Sequence, residues 1–169
     1  KIVFIPLLLL VLTGLYALAG FWLAPKLIRA QATDYVRTEM GKELPEEPLL
    51  FLKAPSSLLP PGGTVVLPRQ SSRVEHEGEL ALVIGRIASR VNVSHALEYV
   101  RGFTCLDDVT ARDIQHKEKV YARAKGFDTF CPVGPWLETE IADPQALPIE
   151  LRVNGEVRQK GSTADMIFS

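Results

Sequence analysis

Residues 2–24 carry no charged side chain, and Leu, Val, Ile, Phe and Ala fill most of the run. A helix needs about 20 apolar residues to cross a hydrocarbon core, so the run is long enough to span. It exceeds the roughly 7–15 apolar residues of a secretory signal, and it shows no polar face. A transmembrane or signal-anchor helix over residues 1–25, entering the membrane through residues 2–24, is therefore expected ahead of a cleaved signal or a buried helix. Phe21 and Trp22 suit an interfacial belt. Lys1 lies on one side of the run and Lys26 and Arg29 on the other, so orientation stays open.

Residues 26–43 mix charge with Ile28, Ala32, Tyr35, Val36 and Met40 at near-helical spacing. Leu44-Pro45-Glu46-Glu47-Pro48 follows as an acidic linker bracketed by proline, which marks a domain boundary. Residues 26–47 thus read as a charged helix and linker, and residues 48–169 as a domain of short strands and turns. Strands are expected at 49–53 and 64–67, either side of the loop Pro60-Pro61-Gly62-Gly63, and at 77–85. Ser94 is placed to cap a short helix over 95–101 that Gly102 ends. Asn154-Gly155 between two strand-like runs predicts a type I′ hairpin. The last residues, Met166-Ile167-Phe168-Ser169, read as following a strand directly. Because the sequence opens on Lys1 and stops there, it is expected to be a fragment, a processed form or a hybrid reading.

Composition narrows the function classes. With 19 basic and 20 acidic side chains the formal charge is −1, which lacks the basic excess of a nucleic-acid partner. Cys105 and Cys131 stand outside any zinc-ligand spacing and read as two reduced thiols.

Three segments carry candidate chemistry. Glu77-Gly78-Glu79 opens an apolar strand, and strand alternation puts both carboxylates on one face. Two acids so placed are best tolerated around a divalent cation, although a solvated strand end would also carry them. Asp107 to Gln115 packs three acids, Arg112 and an amide into one stretch, and one acid there could complete an oxygen site. The same acids would suit a helix N-terminus. Lys125, beside Gly126 and between aromatics, could meet an anionic ligand or simply sit on a loop.

Read in order, these segments resemble the fumarylacetoacetate hydrolase family. The resemblance rests on Lys53-Ala54-Pro55-Ser56-Ser57, Glu77-Gly78-Glu79-Leu80-Ala81, Asp108-Val109-Thr110-Ala111-Arg112-Asp113-Ile114-Gln115 and Lys125-Gly126-Phe127-Asp128-Thr129-Phe130-Cys131-Pro132. Val153-Asn154-Gly155-Glu156-Val157 and Thr163-Ala164-Asp165-Met166-Ile167-Phe168 extend it. It implies an α+β fold, a mixed β-roll that is incomplete here, preceded by the apolar N-terminal helix. By the same resemblance Glu77, Glu79 and Asp108 are metal ligands for Mg²⁺ or Mn²⁺. Lys125 is catalytic, Thr129 stands beside the metal, Gln115 faces the substrate, and Arg112 binds substrate or, more simply, pairs with an acid. The implied substrate is a small anionic 2-oxo or 1,3-dioxo acid, the location cytoplasmic unless the anchor operates, and the assembly a homodimer.

Such enzymes work through an enolate, whose charge a chelated divalent ion takes up as a Lewis acid. Hydrolysis, isomerisation and decarboxylation all pass through it. The family's upstream Gly-x-Asn-Tyr-x-x-His-type segment and its downstream Gly-Thr-Pro-type loop have no counterpart in the 169 residues. Nor are His76, His95 and His116 placed as a general base: His76 should face away from Glu77, and His116 falls in a loop. Enolate chemistry without hydrolysis is therefore favoured over C–C hydrolysis. The alternative is a membrane-anchored, truncated and inactive relic that at most binds a metal or a partner.

Overall fold

A computed structural model describes residues 46–118 and 120–168. Leu49–Thr163 forms one compact unit. The apolar run at 1–25 and the charged stretch at 26–45 lie outside the described residues. Among the described residues no helix is long and apolar enough to cross a membrane, so the expected anchor gains no support from them.

The unit is built of short paired strands and two short helices, an α+β arrangement. In chain order the strands are β1 (Leu58–Leu59), β2 (Val74–Glu75), β3 (Gly78–Ile84), β4 (Val100–Asp107), β5 (Thr110–Ala111), β6 (Cys131–Pro132), β7 (Pro148–Val153) and β8 (Glu156–Ser162). The helices are α1 (Arg112–Lys117) and α2 (Ala122–Lys125). β1 pairs with β6 in parallel, whereas β2–β5, β3–β4 and β7–β8 are antiparallel, so the pairing is mixed as expected.

β3 forms where the apolar run 80–84 predicts it, and its partner β4 brings Asp107 opposite Gly78. β4 has a second neighbour. The Phe103 N–H donates to the Glu138 carbonyl, and the Glu138 N–H returns the bond, both at 2.8 Å. Flanked on both edges, β4 buries three consecutive residues, Gly102, Phe103 and Thr104. A Cβ on Gly102 would lie 2.5 Å from the Glu138 carbonyl oxygen, so only glycine allows this approach. The hairpin β7–β8 turns at Asn154 (φ 53°) and Gly155 (φ 82°), the two positive φ angles of a type I′ turn.

The buried core is small: Val109, Ala111, Ile114, Ala124 and Phe130, with Val65, Val74 and Phe127 packed against it. It lies under β5, α1 and α2, and so supports the residues on either side of Asp108 and Lys125. Asp113 fastens α1 from outside. Its carboxylate accepts from the Ser71 hydroxyl (2.6 Å) and the Ser72 N–H (3.0 Å), and these bonds hold it well below the usual carboxylate range.

Several expected elements differ. Residues 49–53 and 64–67 form no strand, because their polar groups go elsewhere: Lys53 turns inward, and the Val66 N–H donates to the Thr129 hydroxyl (2.8 Å). The helix expected at 95–101 is a 3-10 helix over Val93–Tyr99, and β4 already begins at Val100. Its cap is Asn92 rather than Ser94, the Asn92 side chain accepting from the Ser94 N–H. His116 sits in the last turn of α1 instead of a loop. Residues Thr163–Asp165 make a 3-10 turn where a strand was expected.

Candidate metal centre

The β3–β4 pair joins two acidic segments that are 30 residues apart in sequence. The Asp108 N–H donates to the Glu77 carbonyl (2.9 Å), and the Glu77 N–H donates to the Asp107 carboxylate (2.8 Å). These bonds seat Asp108, just past β4, beside Glu77, just before β3. One carboxylate oxygen from each of Glu77, Glu79 and Asp108 then lies within 4.8 Å of the other two. The expected trio is therefore assembled in space.

Each of two trio members is met by cations. Lys125, at the end of α2, is 2% exposed and Asp108 1% exposed. The Lys125 ammonium donates to Glu77 (2.9 Å), to Asp108 and to the Thr110 hydroxyl (2.9 Å). An ammonium has three protons to give, and all three are used. The same group stands 4.8 Å from the centre of the Phe51 ring. Lys53 approaches from the other side, donating to the second oxygen of Asp108 and to the Lys125 carbonyl (2.7 Å). Buried charges persist when paired and hydrogen-bonded, and Asp108 is paired twice.

Arg112, the first residue of α1, organises the flank. Its guanidinium donates to Glu75 (2.8 Å), Glu77 (2.5 Å) and the Gln115 side-chain oxygen. The hydrogen bond from Arg112 lowers the Glu75 carboxyl below its usual range. Gln115 is thus tied to the centre through Arg112. Thr129 adopts a left-handed backbone (φ 68°), and its hydroxyl oxygen is engaged by Val66 rather than by any member of the trio.

Glu79 differs from its companions. Nothing among the described residues donates to its carboxylate. The surface of the residue is largely exposed, yet the atoms packed around its carboxyl group raise its pKa to about 6. Asp108 and Glu77 add repulsion, which Lys125 and Lys53 offset only in part. Glu79 also lines two neighbouring clefts of about 410 and 480 Å³, shared with Cys105, Gly134, Pro135, Ile149 and Glu150. Glu77 and Asp108 line neither cleft, so of the trio only Glu79 meets them.

The donor set fits a small hard cation. All three ligands are carboxylate oxygens, the chemistry of Mg²⁺ and Mn²⁺. An octahedral shell at about 2.0–2.1 Å separates its oxygens by roughly 3–4 Å, so shifts of about an ångström close the trio. Two functional residues escaped the sequence reading. Lys53 entered it only as part of a motif, and Glu75 not at all; the alternation that pairs Glu75 with Glu77 was the available signal. Of the three histidines, His95 pairs with Glu98 at the surface (2.7 Å) and His116 is exposed. The Nδ1 of His76 is buried without a hydrogen-bond partner among the described residues.

Known proteins resemble this chain over most of its length. A model of the fumarylacetoacetate (FAA) hydrolase C-terminal domain matches residues 27–169. An uncharacterised protein of Pyrococcus horikoshii is 46% identical over 151 residues, covering 85% of this chain and 66% of that protein. The oxaloacetate tautomerase YisK of Bacillus subtilis is 43% identical, covering 78% of this chain and 45% of its own length. Among solved structures, 2-hydroxyhepta-2,4-diene-1,7-dioate isomerase from Mycobacterium marinum matches with a TM-score of 0.69 and 44% identity, covering 73% of this chain and 48% of that one. The chain thus spans roughly half to two thirds of the length of these proteins.

Proposed function

This chain belongs to the fumarylacetoacetate hydrolase family, and from that membership we propose that it acts on a small 2-oxo or 1,3-dioxo acid at a divalent-cation centre formed by Glu77, Glu79 and Asp108. The observation that carries the proposal is the convergence of those three carboxylates to within 4.8 Å. Mg²⁺ or Mn²⁺ bound there would withdraw electron density from a carbonyl oxygen and lower the cost of an enolate.

The chain's own residues supply the rest. Lys125 spends its three protons on Glu77, Asp108 and Thr110, so its part is that of a fixed positive charge. Three carboxylates against a 2+ ion leave about one negative charge, and Lys125 and Lys53 offset it for an anionic substrate. Arg112 holds Gln115 in a defined rotamer beside Glu77, and a carboxamide so held can present its N–H₂ to a substrate oxygen. Thr129 is the weaker substrate contact, because its hydroxyl oxygen already serves Val66.

Keto–enol tautomerisation or isomerisation is the reaction favoured over hydrolysis. None of the three histidines is hydrogen-bonded to the trio, and hydrolysis needs an activated water as a nucleophile, whereas tautomerisation only loses the enol O–H proton and returns one from solvent to carbon. The tautomerase and isomerase named among the relatives support the same choice. The homodimer implied by the family belongs to the same proposal, and sedimentation of the full chain tests it.

The decisive experiment is calorimetric titration of the full chain with Mn²⁺, followed by an ultraviolet assay of oxaloacetate enol decay. Metal-dependent decay, lost together with Mn²⁺ binding in Glu79→Ala, is the expected result. Mn²⁺ binding without any turnover of 2-oxo acids would favour the inactive relic. No Mn²⁺ binding at all would remove the centre itself.

A further inference from the structure

The peptide between the two glutamates is gripped by a side chain from a distant hairpin. Gly78 pairs with Asp107 across β3–β4, but its own N–H and C=O find their partners elsewhere. The Gly78 N–H donates to the Gln159 side-chain oxygen (2.7 Å), and the Gln159 side-chain N–H₂ donates back to the Gly78 carbonyl (2.7 Å). The carboxamide of a residue 81 positions away therefore does what a neighbouring strand would do.

The two bonded groups belong to different peptide planes. The Gly78 N–H lies in the plane that joins it to Glu77, and the Gly78 carbonyl in the plane that joins it to Glu79. Fixing both planes fixes the positions of the Glu77 and Glu79 Cα atoms relative to one another, from which the two side chains depart. On its other side the segment is held by the Glu77 N–H to Asp107 (2.8 Å) and the Glu77 carbonyl to Asp108 (2.9 Å). Gln159 itself faces Leu151 in the β7–β8 register. Leu151 packs so closely on Gly78 that a Cβ there would sit 3.1 Å from its Cδ1. The hairpin thus presses on Gly78 and bonds to it at the same place.

We propose that Gln159 is a positioning residue for the metal centre, setting the gap between the Glu77 and Glu79 carboxylates through the Gly78 peptide. The inference rests on the reading of Glu77, Glu79 and Asp108 as ligands. Its consequence is ion selectivity. Mg²⁺ demands oxygens at about 2.0–2.1 Å in near-ideal geometry, whereas Ca²⁺ accepts about 2.3–2.6 Å and irregular shells. A 77–79 segment freed from Gln159 loses most for the smaller, stricter ion.

The test is calorimetric titration of the full chain with Mg²⁺, Mn²⁺ and Ca²⁺ separately, in wild type, Gln159→Met, Gln159→Ala and Glu79→Ala. Melts without metal accompany each. Gln159→Met fills the same space without hydrogen-bonding, so it stays folded where Gln159→Ala fails. The expected result is a loss of roughly 10–100-fold in Mg²⁺ affinity, with a smaller loss for Ca²⁺, so that the Ca²⁺-to-Mg²⁺ affinity ratio rises. A wild-type ratio in Gln159→Met, whatever its melting temperature, overturns the inference while Glu79→Ala still abolishes binding. Absence of ion binding in wild type overturns the ligand reading and the inference with it.

Discussion

Replacing Lys125 with Met removes an ammonium from a place that water cannot fill. Lys125 and Asp108 are 2% and 1% exposed, and Lys125 bridges Asp108, Glu77 and Thr110. Met preserves much of the stem, so the loss is chiefly one of charge and hydrogen bonds. Asp108 keeps Lys53, and Glu77 keeps Arg112. Each carboxylate therefore retains one cation, which places the cost at the low end of the roughly 3–5 kcal/mol for breaking a buried ion pair. About 3 kcal/mol corresponds to a melting temperature lower by roughly 6–12 °C in a chain of this size. Divalent cations then act in the opposite direction. Lys125 and a metal ion compete for the same oxygens, so Lys125→Met binds Mg²⁺ more tightly, and each tenfold gain restores about 1.4 kcal/mol at saturating ion. Urea melts of both proteins in EDTA and in excess Mg²⁺ measure all of this. The deficit should be near 3 kcal/mol in EDTA and shrink by at least about 1 kcal/mol in Mg²⁺, while the proposed turnover of oxaloacetate enol falls. A deficit below about 0.5 kcal/mol in EDTA, or one that Mg²⁺ leaves unchanged, refutes the picture of an ammonium balancing the acidic trio.

Metal affinity should fall as pH drops through 6, because Glu79 must shed its proton to bind and its pKa is raised to about 6. Since the folded pKa lies above the unfolded value of 4.5, ionising Glu79 weakens the metal-free fold as pH rises between those values, and bound metal removes that penalty. Titrations at pH 5 and 7 in buffers of different ionisation heat would report the released proton, which Glu79→Gln should eliminate. Arg112→Lys breaks the simultaneous grip on Glu75, Glu77 and Gln115, and roughly 10–100-fold should be lost from kcat/KM and metal affinity; wild-type values for both would show that the fork is dispensable. Gly102→Ala forces a Cβ to within 2.5 Å of the Glu138 carbonyl, and urea denaturation should register a loss of about 1–3 kcal/mol or more. Gly155→Ala, strained by φ 82° but in open space, should cost about 1 kcal/mol.

What could be read from the sequence was local or alternating. The β7–β8 turn is dictated by Asn154-Gly155, whose positive φ values need no help from the rest of the fold. Glu77 and Glu79 share a face because strand geometry requires it. What escaped was set by distant partners. Nothing near Lys53 announces that its ammonium travels to Asp108, 55 residues on. Thr64 to Leu67 has strand composition, yet the Thr129 hydroxyl takes the Val66 N–H that a strand neighbour would have taken. Ser94 and Asn92 are both good caps, and the helix takes Asn92, running two residues earlier than expected and ending at Tyr99 where β4 takes over at Val100.

The cations around the centre explain why its three acids behave unequally. Lys53 and Lys125 saturate both oxygens of Asp108, and Lys125 and Arg112 do the same for Glu77. Glu79 has no such partner among the described residues, and its pKa rises accordingly. It is also the member of the trio that meets the clefts. Of the three carboxylates Glu79 would gain most from a divalent ion held at the proposed centre, since the other two are already compensated. Binding there would require Lys125 or Lys53 to yield an oxygen of Asp108, and Lys53, the more exposed of the two (14% against 3%), is nearer to the water that would take up its ammonium. Lys53 lies in a segment without regular structure, whereas Lys125 ends α2. Lys53 would accordingly yield first, and Lys125, left on Glu77 and on the other oxygen of Asp108, is the cation with which the ion competes.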